Sequence, residues 1–76
     1  MFTTLKGNYV NPLYVESLYI KRATKVIDGR PTWGWYVRCR TASGDDWPLF
    51  FGTEDEAREK LKEYAEEVRN AALTRV

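Results

Sequence analysis

The dipeptide Asp28-Gly29 lies between two long runs in which apolar and polar residues alternate, and that combination specifies a β-hairpin. A two-residue type I′ turn requires positive φ at both central positions, which Gly adopts freely and Asp at small cost. Centring the turn there fixes the pairing. Leu18 then faces Cys39, Ile20 faces Val37, Arg22 faces Trp35 and Thr24 faces Trp33 on one side. Ser17 faces Arg40, Tyr19 faces Arg38 and Lys21 faces Tyr36 on the other. The first side is apolar at its middle and the second is basic and aromatic, so turn and alternation agree. Pro31 sits beside the turn, where a missing amide costs least.

A second turn is signalled by Ser43-Gly44-Asp45-Asp46, ahead of Trp47-Pro48-Leu49-Phe50-Phe51. Two registers compete. The favoured one buries Trp47, Leu49 and Phe51, needs a three- or five-residue loop with Gly44 left-handed, and leaves Phe50 on the outer side. A shift by one residue buries Pro48 and Phe50 instead. Pro48 itself implies an edge strand or an outward amide. Near the N-terminus, Phe2 to Leu5 and Asn8 to Val10 read as a short hairpin around Lys6-Gly7. Asn11-Pro12-Leu13-Tyr14 reads as a turn, or one helical turn, entering the next strand.

Thr53-Glu54-Asp55-Glu56 is a capping box, and its three acids suit the positive end of a helix dipole. Ala57, Leu61, Tyr64, Ala65, Val68 and Ala72 then recur at helical spacing with no Pro or Gly between them. The expected fold is α+β: a small antiparallel three- to four-stranded β-meander with one C-terminal helix packed on one face. Strands are expected at about 2–5, 14–27, 30–42 and 47–51, and the helix at about 54–73, all within one domain, 1–76.

Composition bounds the function. A chain of 76 residues is about half the usual domain, and 43% hydrophobic with 30% charged residues is globular rather than disordered. There is no histidine and one cysteine, which excludes histidine base catalysis, Cys/His zinc sites and an intrachain disulfide. No apolar run approaches the length needed to cross a bilayer, and Met1-Phe2-Thr3-Thr4-Leu5-Lys6 lacks the layout of a signal peptide. Together with the missing disulfide, this implies a cytoplasmic protein with no membrane partner. The net charge is +1, but residues 1–52 hold seven basic against four acidic side chains, and the remainder five against seven. The molecule is polarised.

Candidate chemistries reduce to one surface. Cys39 reads as a buried apolar residue with no histidine to activate it, Asp45 and Asp46 as turn residues, and the glycines as scattered rather than a phosphate loop. No catalytic residue, cofactor or metal is expected. Trp35 and Trp47 read as core, while Trp33, near Lys25 and Arg30 at the hairpin tip, offers a second contact point. The outer sheet face is predicted to present Tyr19, Lys21, Tyr36, Arg38, Arg40 and Phe50 as a partner-binding set. Tyr and Arg are the residues that protein interfaces favour, which implies another protein or a second copy as partner. Rings interleaved with cations also suit single-stranded nucleic acid, the alternative that the low net charge disfavours. In size and layout the chain is similar to compact accessory proteins of phages and bacteria, which implies binding to a larger protein.

Overall fold

A computed structural model describes residues 2–74. In chain order it contains β1 (Phe2–Thr3), β2 (Tyr9–Val10), a 3-10 turn (Pro12–Tyr14), β3 (Val15–Ile27), β4 (Arg30–Thr41), β5 (Asp46–Gly52) and α1 (Glu54–Thr74). Strands β3, β4 and β5 form an antiparallel meander in that order, and β1 pairs only with β2. With α1 packed on the sheet, this is the expected small α+β fold. The N-terminal hairpin forms a sheet of its own instead of a fourth strand.

The turn behaves as its residues dictate: Asp28 has φ 52° and Gly29 φ 76°. From Ser17 to Ile27 every residue of β3 faces the predicted residue of β4. The register slips once, between Val15 and Ser17, where Glu16 is an extra residue on β3. At the next connection the Thr41 amide donates to the Asp45 carbonyl at 2.8 Å and the Gly44 amide to the Thr41 carbonyl at 2.9 Å, with Gly44 at φ 93°. This is the three-residue loop with a left-handed glycine.

Neither predicted register of β5 holds throughout. Arg40 faces Asp46, Cys39 faces Trp47 and Arg38 faces Pro48, but Val37 faces Phe50. Leu49 is therefore the extra residue of a β-bulge, and beyond it the two faces of the strand exchange. Trp47 and Leu49 lie on the helix side as expected. Phe50 does too, and Phe51 takes the outer position that the unbulged register assigns to Phe50. The bulge resolves the conflict among three large apolar residues at alternate and adjacent positions: Leu49 is 4% exposed in the core, and Phe50 still reaches the helix, with Lys60 Nζ 5.8 Å from its ring centre.

Cys39 and Leu49 meet Phe2 and Val10 from the N-terminal hairpin, with Trp47, Tyr64 and Val68 packed around them, and Val37 is fully buried on the same side of β4 as Cys39. Phe2 and Tyr64 stack edge to face with centroids 4.9 Å apart. The hairpin is tied to the bulged strand by the Leu5 amide, which donates to the Pro48 carbonyl at 2.8 Å. Burial raises the Cys39 thiol above its ordinary range, which keeps it protonated and inert. Trp35 is half-buried, and Trp33 is 66% exposed.

Both capping-box bonds form: the Thr53 amide donates to Glu56 Oε1 at 3.0 Å and the Glu56 amide to Thr53 Oγ1 at 3.2 Å. The packed stripe of α1 is Ala57, Leu61, Tyr64, Val68 and Ala71. Ala65 and Ala72, predicted in the stripe, are exposed, because the helix meets the sheet along a narrower strip than a six-residue pattern covers. Thr53→Ala removes one cap and leaves the Glu56 amide unpartnered. A loss of about 1 kcal/mol is expected in denaturant unfolding, with Thr53→Ser close to wild type.

Candidate interaction surface

The sheet face opposite α1 is set by the parity of the pairing. Side chains of directly facing residues share a side, so Tyr19 with Arg38, Lys21 with Tyr36, Tyr36 with Phe51, and Arg40 with Asp46 all stand on this open face. Five of the six predicted residues are there. Phe50 is not, for the reason given by the bulge. α1 packs on the other face, and here Tyr19, Tyr36, Arg38 and Phe51 are half-exposed because they pack on one another, while Pro48 beside Arg38 is buried.

The hub of its charged cluster is Asp46, the first residue of the edge strand β5. One carboxylate oxygen accepts from Arg38 Nε at 2.7 Å, and the other accepts a hydrogen bond from the Tyr19 hydroxyl. Burial alone raises the Asp46 carboxyl, but the bonds from Tyr19 and Arg38 and the charges of Arg38 and Arg40 outweigh it, leaving the pKa below the usual carboxylate range. The same hydrogen bond to Asp46, with burial, pushes the Tyr19 phenol above its ordinary value. Burial depresses the Arg38 guanidinium, and Asp46 more than restores it. The sequence suggested a turn role for Asp46. Its real role was readable from the three-residue loop, which sets it opposite Arg40 and diagonal to Arg38.

Beside this triad lies an aromatic pair. The rings of Tyr36 and Phe51 are 4.8 Å apart at 56°. Lys25 Nζ lies 5.5 Å from the Phe51 centroid and the Arg38 guanidinium 5.8 Å from that of Tyr36. Gly34 lies beneath the Phe51 ring, so closely that a Cβ at position 34 would overlap it. The glycine is what allows Phe51 to lie flat on the sheet. Lys21 and Arg40 stand exposed at the margins. Rings and cations therefore converge as predicted, but with the Asp46 carboxylate bound among them.

Next to Asp46, at the β4–β5 loop, an open cleft of about 610 Å³ lies between β2, the 3-10 turn and that loop, with Tyr9, Tyr14 and Trp47 on its walls. Among the described residues no cluster of His, Cys, Asp and Glu is placed to hold a metal ion, and no helix is long and apolar enough to cross a membrane. Comparison of the chain with family models, curated proteins and solved structures finds no match.

Two outcomes follow from this geometry. Asp46→Ala strips charge-assisted partners from Arg38 and Tyr19, and a loss on the order of 2 kcal/mol is expected in denaturant unfolding. Because the folded pKa of Asp46 is lowered, its contribution is present above about pH 4 and lost as pH falls further; Asp46→Asn flattens that acid limb of the stability profile. Gly34→Ala displaces Phe51 and is expected to cost about 1–3 kcal/mol while weakening the near-ultraviolet circular dichroism of the Tyr36–Phe51 pair.

Proposed function

We propose that this chain is a non-catalytic protein-binding module, an adaptor or inhibitor of a larger protein, acting through the open face of the β3-β4-β5 sheet. The observation that carries the reading is the Asp46 carboxylate on that face, already bonded to Arg38 and Tyr19. A face meant to hold phosphates gains from unpaired cations and loses from an anion that already neutralises one of them. A protein interface has the opposite needs: rigid rings at its centre, charges already partnered, and exposed cations at the rim. Tyr36 and Phe51, fixed against each other over Gly34, supply the first; the Arg38–Asp46 pair the second; Lys21 and Arg40 the third. Partner groups then meet surfaces that need little further ordering, which keeps the entropic cost of association low. The free, buried Cys39 is compatible with a reducing compartment such as the cytoplasm.

A photo-crosslinking side chain at Tyr36 is expected to join the protein to a specific larger protein in the cell of origin, and Arg38→Ser with Phe51→Ser to abolish the product. The same label at Glu63, on the exposed face of α1, is expected to give none. Capture from Glu63 alone contradicts the assignment. So does tight oligonucleotide binding that weakens steeply with salt, which instead supports the nucleic-acid alternative.

A further inference from the structure

The two residues of the Asp28-Gly29 turn make Ile27 and Arg30 a hydrogen-bonded pair, and such pairs alternate with non-hydrogen-bonded ones along an antiparallel ladder. Lys25, Ala23, Lys21 and Tyr19 thus exchange hydrogen bonds with β4. The backbone amides and carbonyls of Leu18, Ile20, Arg22, Thr24 and Val26 point the other way, off the outer edge of β3. That strand is 13 residues long, pairs only with β4, and contains no proline. Its one irregularity, at Glu16, lies at its start. A long, regular edge with a row of unpaired donors and acceptors is a template for one more strand.

Charge says which strand. Lys21, Arg22 and Lys25 flank this edge on both faces, and none is in an ion pair within the described chain; Arg22 and Lys25 rest on the rings of Trp33 and Phe51. A second copy of β3 is a poor occupant. Antiparallel pairing of two copies centred on residues 21–23 sets Lys21 against Lys21, Arg22 against Arg22, or Lys21 against Lys25, with Glu16 as the strand's sole carboxylate. We infer that the outer edge of β3 receives an extended acidic segment of the partner protein as a fourth strand. Its acidic side chains lie beside Lys21 and Lys25 on the open face, and apolar ones beside half-buried Leu18 and Ile20 on the helix side. This rests on the protein-binding reading and adds the partner's chemistry and backbone conformation.

The test uses the intact protein and a short synthetic peptide of alternating Glu and Val, compared with the same peptide N-methylated at alternate residues. Addition of the first is expected to slow amide hydrogen exchange at Ile20, Arg22 and Thr24, residues whose exchange is otherwise fast, with little change at Lys21 and Ala23. The N-methylated peptide, equal in charge, is expected to bind at least about tenfold more weakly. Thr24→Pro deletes an outward donor without removing a β3–β4 hydrogen bond, and is expected to weaken binding by about the same factor while the exchange pattern of β4 stays intact. Equal binding of the two peptides, or protection confined to the open face or α1, overturns the inference. Crosslinking from Tyr36 without edge protection would overturn it while leaving the face assignment standing.

Discussion

The register between β3 and β4 governs nearly everything else in this molecule. A slip of one residue would move Val37 and Cys39, both fully buried, to the outer side and carry Tyr36 and Arg38 into the core. The register is held by two independent constraints. The turn admits positive φ only where Asp28 and Gly29 stand, and the apolar residues fall on one parity on both strands. Because each constraint alone would choose the same pairing, the hairpin is specified without a disulfide and with a small core.

A second irregularity, in β5, decides which ring the outer face carries. The Leu49 bulge lets one short strand contribute Trp47, Leu49 and Phe50 to the helix side while sending Asp46, Pro48 and Phe51 outward. Without it, Phe50 would take the outer position opposite Tyr36, and Phe51 would turn to the helix side. With it, an anion, a guanidinium, a phenol and an aromatic pair form one connected surface. The proposed protein-binding role depends on that combination of partnered charge and prepacked rings, and the edge of β3 continues it along the side of the sheet.

How far the sequence foretold this depends on the range of the interactions. The hairpin, the Gly44 loop, the capping box and the helix are written in local residue chemistry, and all form where those residues stand. The bulge is not local. Alternation along Trp47 to Phe51 is consistent with either face, and the choice is made by Val37, Cys39, Phe2 and Tyr64, which are remote in sequence and compete for the space beneath the helix. Ala65 and Ala72 mislead for a related reason: alanine fits a packed or an exposed helix position equally well, so it does not mark the width of the contact. Five of the six predicted face residues followed from the hairpin alone. Phe51 needed the bulge, and Asp46 the three-residue loop.

The account stands on the two registers, and backbone proton contacts read them directly. In solution NMR, non-hydrogen-bonded antiparallel pairs bring their Hα atoms together. Strong Hα–Hα contacts are predicted for Leu18–Cys39, Ile20–Val37 and Arg22–Trp35, and, across the bulge, for both Arg38–Pro48 and Tyr36–Phe51. Contacts displaced by one residue in the first set, or a Tyr36 contact to Phe50 in place of Phe51, would contradict the face on which the proposed function rests.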